Sequence, residues 1–135
     1  MIEVYSRSVS AQTNASIPLN NIALLKGTST TMQGAASIQL NKSGIYQVNV
    51  TASGTPDATA GGNISIQLRQ NNVLLPQSLV TDTSASDTDI SAVSFTTLVQ
   101  VVPNNNCSCF SPSFIDVVNV GVDATFDINV TVTRV

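Results

Sequence analysis

The chain has 135 residues, of which 5 are basic, 8 are acidic and none is histidine or tryptophan. A net charge of −3 excludes the basic surface on which nucleic-acid binding depends, and 42% apolar residues exclude intrinsic disorder. Without histidine, neither a Ser-His-Asp nor a Cys-His catalytic site can form, and no histidine can bind a metal. We therefore expect a protein that is not an enzyme and that has no cofactor.

Alternation of apolar and polar residues with a period of two dominates the chain, which predicts β-strands and no long helix. The predicted strands, in chain order, are residues 2–9, 17–25 (interrupted at Pro18), 37–40, 44–52, 64–69, 73–75, 91–102, 114–120 and 124–135. Clusters of Gly, Pro and Asn end these strands, and residues 81–88 form the most polar segment, which we expect to be an exposed loop. About ten short strands predict one all-β domain, residues 1–135, with two antiparallel sheets.

The clearest alternation lies in residues 44–52 and 124–135, where each strand has one apolar and one polar face. The apolar faces, which we expect to fill the core, contain Tyr46, Val48, Val50, Phe126, Ile128, Val130 and Val132. The polar faces contain Gln47, Asn49, Asn129, Thr131 and Thr133.

Two groups of residues suggest metal or redox chemistry only weakly. Asp82, Asp87 and Asp89 could supply oxygen ligands to calcium, but their spacing matches no defined calcium loop, so a solvated acidic loop is favoured and no metal site is predicted. On an extended strand, the Cα atoms of Cys107 and Cys109 would be separated by a distance near the upper limit for a disulfide. Reduced thiols are favoured for this pair, while an intersubunit disulfide, a shared metal and a redox function stay open.

The sequence shows no targeting or membrane segment. Its longest apolar run, residues 22–25, is far shorter than the roughly 20 residues that span a bilayer. The first residues lack the basic and apolar regions of a secretory signal. We expect the chain to be made in a bacterial cytoplasm, to have no membrane partner, and to reach any external position by assembly.

The scarcity of charge predicts self-association. Lysine occurs only at Lys26 and Lys42, and glutamate only at Glu3. Interfaces between subunits are depleted in these residues, and monomeric β proteins use charge, lysine above all, to protect the edges of their sheets. Neighbouring subunits are therefore expected to cover the edges that this chain leaves unprotected.

The order of several motifs resembles the complement globular-head and tumour-necrosis-factor-like jelly-roll family, over residues 15–135. These motifs are Pro18-Leu19-Asn20-Asn21, Ile38-Gln39-Leu40, Gly44-Ile45-Tyr46-Gln47-Val48-Asn49-Val50, Ile66-Gln67-Leu68-Arg69-Gln70-Asn71-Asn72-Val73, Phe95-Thr96-Thr97-Leu98-Val99-Gln100-Val101 and the closing residues 128–135. The similarity is greatest to the heads of bacterial spore-surface glycoproteins and to small proteins of Firmicute phages and prophages. No collagen-like stalk precedes the head, and residues 103–112 have no equivalent in the family.

The resemblance implies a ten-strand, two-sheet jelly roll that forms a homotrimer and that binds or coats. It also implies that the strand opening at Gly44 and the final strand face the threefold axis. The polar set Gln47, Asn49, Asn129, Thr131 and Thr133 would then approach the neighbouring subunits, opposite the core set.

These observations lead to one main functional hypothesis and two alternatives. The main hypothesis is a non-enzymatic, trimeric structural or decoration protein of a phage particle, such as a head fibre, collar or tail appendage. It would lie in the virion, contact other virion proteins and bind a host-surface glycan. The alternatives are a carbohydrate- or receptor-binding module and a component of the spore coat or exosporium.

Overall fold

Eleven β-strands form within the residues that the computed structural model describes, 1–103 and 112–135. In chain order they are β1 (Ile2–Ala11), β2 (Asn21–Leu25), β3 (Thr30–Gln33), β4 (Ser37–Leu40), β5 (Gly44–Pro56), β6 (Gly62–Gln70), β7 (Val73–Leu74), β8 (Val80–Ser84), β9 (Ser91–Val101), β10 (Ser113–Asn119) and β11 (Ala124–Arg134). A short 3-10 turn, Pro76–Ser78, is the only helical element in the described part of the chain. None of its helices could cross a membrane.

The strands form two antiparallel sheets that pack face to face. Sheet A has the order β2-β1-β11-β5-β9, and sheet B has the order β3-β4-β10-β6-β7, with β8 paired to the other part of β6. Strands distant in sequence therefore lie side by side, since β11 lies between β1 and β5. The all-β, two-sheet prediction is confirmed.

The core lies between the sheets and is built from the alternate residues of each long strand. On β5 and β11 the buried residues include Tyr46, Val48, Val50, Phe126, Ile128, Val130 and Val132, the set that the sequence places on one face, together with Ala52 and Ala124. Sheet B adds Ile64, Ile66 and Leu68 from β6. The only fully buried tyrosine hydroxyl, that of Tyr46, donates to the backbone carbonyl of Lys42 at 2.7 Å.

Several strands differ from the sequence prediction. Strand β3 was not predicted, and β8 occupies the first half of the segment expected to be a loop, because Asn63 and Ser65 of β6 pair with Thr83 and Thr81 of β8. The predicted strand 17–25 is a strand only from Asn21. The residues before it bond instead to β10, where the backbone nitrogen of Ile17 donates to Val117 at 2.8 Å.

Strand β5 also continues four residues beyond its predicted end, through a segment with glycine and proline. Pro56 is paired with Ala124, and Gly54 is paired with Phe126 and with Ser91. A Cβ atom on Gly54 would lie 3.0 Å from a ring carbon of Phe126, so glycine avoids a tight contact there. The proline is compatible with the sheet because it is the last residue of the strand.

A charged cluster ties the segment before β2 to the outer face of sheet B. Arg69 on β6 donates to both carboxylate oxygens of Asp116 on β10, at 3.1 and 2.5 Å, and to the hydroxyl of Ser16 at 3.0 Å. The hydrogen bond and charge of Asp116 raise the pKa of Arg69 above its ordinary value, although partial burial acts in the opposite direction. This bidentate pair fixes the segment that leads into β2.

Candidate assembly surface

The outer face of sheet A is a regular surface on the side of that sheet opposite the core. Because side chains alternate along each strand, the residues opposite the core set all point to this face. The structure brings together the five predicted trimer-facing residues, since Thr131 pairs with Asn49, Thr133 pairs with Gln47, and Asn129 is next along β11. Asn49 is exposed and the other four are half-buried.

Hydroxyl and amide side chains form hydrogen bonds across this face. Thr96 of β9 donates to the side-chain oxygen of Asn49 at 2.6 Å. At the opposite side, the hydroxyl of Thr131 lies 3.4 Å from a carboxylate oxygen of Glu3 on β1. The middle of the face is therefore a polar but almost uncharged surface.

One end of the same face is apolar, which the sequence analysis did not predict. Leu98 on β9 is 60% exposed and Ile45 on β5 is 45% exposed. Leu98 pairs with Gln47 and Ile45 pairs with Gln100, so the two apolar side chains are diagonal neighbours on one face. The signal in the sequence was present: both residues interrupt the polar half of the alternation in their strands.

The edge of sheet A beside this apolar end is long and lacks protection. Strand β9 pairs with β5 through eleven consecutive residues without a register shift, and it contains no charged residue and no proline. The opposite edge, β2, has five residues and an irregular register with β1. Natural sheets normally use charge, proline or a bulge to keep a regular edge strand from pairing with another chain. Because β9 has none of these, we expect its edge to be covered by another subunit.

A polar groove of about 470 Å³ lies on the outer face over β1, β11 and β5, toward the end opposite Ile45 and Leu98. It is lined on this face by Tyr5, Arg7, Thr51, Ser53, Asp127 and Asn129. The groove lies beside a β-bulge in β1, where the register with β11 shifts between Ser6 and Val9. The bulge therefore interrupts the regular β surface at the groove.

A second groove, of about 760 Å³, lies on the outer face of sheet B. None of the described residues that line it is charged. The lining residues with amide, hydroxyl or large apolar side chains are Asn14, Asn63, Ser65, Gln67, Thr81, Leu74, Leu79, Val120 and Val122. Gly121 lets the turn before β11 approach β6, since a Cβ atom there would lie 2.2 Å from the carbonyl oxygen of Asn63.

The acidic residues singled out in the sequence do not converge. Asp89 accepts a hydrogen bond from the backbone nitrogen of Ala85 at 2.8 Å, and Asp82 accepts one from Thr83 at 2.9 Å, so both carboxylates stabilise their own loop. Over residues 1–103 and 112–135 no group of three potential metal ligands is found. Cys107 and Cys109 lie outside the described residues.

Comparisons with known proteins bear on the fold. No protein-family model matches the chain, and no curated protein matches it. Among solved structures, PRD1 vertex protein P5 matches with a TM-score of 0.56 and 20% identity, over 99% of this chain and 95% of that one. Murine APRIL matches at pH 8.0 with a TM-score of 0.53 and 8% identity over 96% of both chains. The APRIL structure at pH 5.0 gives 0.53 and 11%, over 97% of this chain and 99% of that one.

These likenesses identify the architecture. Each extends over nearly the whole of both chains, and the identities are low enough that they concern the fold alone. The chain has the TNF-like jelly roll that its motif order resembles, with eleven strands in the described residues where about ten were expected.

Proposed function

We propose that the chain is a non-enzymatic, homotrimeric structural protein of a phage particle, with residues 1–135 acting as one jelly-roll domain. The observation that carries this proposal is the end-to-end likeness to a vertex protein, which leaves no large part of either chain unmatched. A decoration protein at a head fibre, collar or tail appendage needs a rigid scaffold and a self-association surface rather than a catalytic site.

The outer face of sheet A supports the trimer. It combines an apolar end at Ile45 and Leu98, a nearly uncharged polar middle, and the unprotected edge strand β9. An interface that joins one edge to a different surface of the next copy is heterologous, and such interfaces form a ring when the rotation between copies closes. Three copies related in this way would cover the β9 edge of each subunit.

The oligomeric state is the first test. A chain of 14.1 kDa that forms a trimer has a mass of about 42 kDa, three times that of the monomer. Sedimentation equilibrium at micromolar concentration is expected to give the trimer mass. A 14 kDa species under the same conditions would contradict the proposal.

The location in a particle needs a separate test. Phage particles purified from a producing host are analysed by mass spectrometry and by immuno-electron microscopy with an antibody against this chain. We expect the antibody to label the particles at symmetric positions. Particles without the chain, or labelling of a spore surface in its place, would contradict the virion location and favour the spore-coat alternative.

The uncharged groove on sheet B favours a second candidate function, a module that binds a neutral glycan. Amide side chains bond sugar hydroxyls, and Leu74 and Leu79 offer apolar contact at the groove. An array of immobilised neutral, sialylated and sulfated oligosaccharides tests it, with Asn63→Ala as the groove variant and Asn20→Ala as the control. Neutral glycans retained by the control and lost by Asn63→Ala would support it. Glycan binding that is unchanged in Asn63→Ala, or the absence of glycan binding by the unmodified chain, would contradict this second function.

A further inference from the structure

The outer face of sheet A bears one exposed cation, Arg7, which has no ionic partner in its own subunit. Within residues 1–103 and 112–135 the only ion pair is that between Arg69 and Asp116, on the other sheet. Strands β5 and β9 add no charged residue to the face. Arg7, with its fork of donors, is thus the exposed cation of a face whose other charged side chains are the carboxylates of Glu3 and Asp127.

The β-bulge in β1 determines where Arg7 lies. Ser8, the next residue, has a φ of 53°, a conformation that residues other than glycine seldom adopt. Its backbone nitrogen donates to Oδ1 of Asp127 on β11 at 2.7 Å, and this bond holds the bulge. Bulges commonly redirect a side chain, and this one sets Arg7 beside the 470 Å³ groove that Asp127 also lines.

Burial of this face against a second copy would be costly for Arg7 unless a carboxylate met it there. An ion that loses its water without gaining a partner destabilises the complex. The face offers two carboxylates. Glu3 is half-buried at the side of the sheet next to β2, whereas Asp127 is exposed, lies in the groove and uses only Oδ1 within the described part of its own chain.

We propose that Arg7 of each subunit binds Asp127 of the next subunit, which closes the groove on the threefold axis. This inference rests on the trimer of the proposed function. Cyclic symmetry repeats the contact three times, so every Arg7 and every Asp127 is used. The contact adds specificity to a largely neutral interface, because a copy in the wrong orientation would bury both charges unpaired.

Charge reversal tests the contact. Sedimentation equilibrium measures the dissociation constant of the trimer for the unmodified chain, Arg7→Glu, Asp127→Lys and the double variant. Loss of one partner of a buried charge pair is expected to weaken association at least about 30-fold per pair, and the double variant is expected to recover most of that loss. The double variant and Asp127→Lys both lack the bond to Ser8, so their comparison isolates the charge pair. Asp127→Asn keeps an acceptor for Ser8 and is expected to weaken association as well.

Lys42→Glu is the matched control, since it makes the same change in net charge at an exposed residue between β4 and β5. Circular dichroism checks that each variant folds. Three results would each overturn the contact but not the trimer. The dissociation constant of Arg7→Glu could equal that of the unmodified chain, or Lys42→Glu could raise it as much as Arg7→Glu does. The double variant could also associate no more tightly than Asp127→Lys. A monomeric unmodified chain would instead overturn the proposed function.

Discussion

Leu98→Ser is the substitution that most directly tests the apolar end of the assembly surface. Leu98 lies on the edge strand β9 and is 60% exposed in the single subunit. The 40% of Leu98 that is already buried contributes only about 0.6–1.2 kcal/mol to the stability of the monomer. Any large effect must therefore come from association.

The size of that effect follows from the exposed fraction. Complete burial of a leucine side chain contributes about 1.5–3 kcal/mol, so burial of the remaining 60% of Leu98 contributes about 1–2 kcal/mol per subunit. Over three subunits the loss is about 3–5 kcal/mol, which raises the dissociation constant of the trimer roughly 100- to 5,000-fold.

Sedimentation equilibrium over a range of concentrations measures this constant, and the thermal melt of the monomer checks the fold. Leu79→Ser is the matched control, because it is the same chemical change at a residue that is 52% exposed and lies just before β8 of sheet B. If Leu98→Ser dissociates no more readily than Leu79→Ser, the apolar end of sheet A is not an interface and the reasoning fails.

Three further substitutions test the core by differential scanning calorimetry at fixed protein concentration. Tyr46→Phe removes a hydroxyl that bonds the backbone of Lys42 twice, and we expect a loss of about 1–3 kcal/mol; an unchanged melting temperature would show that these bonds contribute nothing. Ile128→Ala is expected to cost about 2–5 kcal/mol, and a neutral result would contradict the assignment of its face to the core. Gly54→Ala places a methyl group 3.0 Å from Phe126, with an expected cost of about 1–3 kcal/mol; a gain in stability would show that this contact relaxes freely.

The long strands were predictable because the alternation of apolar and polar residues that specifies each of them lies within the strand itself. In β11, Phe126, Ile128, Val130 and Val132 alternate with polar residues, and this pattern stabilises a strand with one buried face whatever its neighbours are. The same reasoning located β4 to the residue. It also placed the core and polar sets on opposite faces before any pairing was known.

The short polar strands were not predictable for the opposite reason. Strand β8, Val80–Ser84, has four polar residues in five, and β3, Thr30–Gln33, has a single large apolar side chain. Each is a strand because a neighbour in the sheet satisfies its backbone groups, β6 for β8 and β4 for β3. Local propensity carries no information about such a neighbour.

The candidate site shows the same division. That Gln47 and Asn49 share a face follows from their spacing of two residues. That Leu98 lies beside Ile45, and that Arg7 lies in one groove with Asp127, depends on the register of strands that are far apart in the chain. A register shift of one residue would move either partner to the other face.

The two-residue alternation and the spacing of the turn residues by themselves determined that this chain forms an all-β domain with one polar and one apolar face on each long strand. The alternation acts through solvent: apolar faces leave water, and backbone groups must be paired when they do. The tertiary structure decided which strands are neighbours, where the bulge at Ser8 interrupts β1, and which edge remains open. Those features depend on contacts between residues up to 130 positions apart, as between Ile2 and Val132, and only the folded chain brings such residues together.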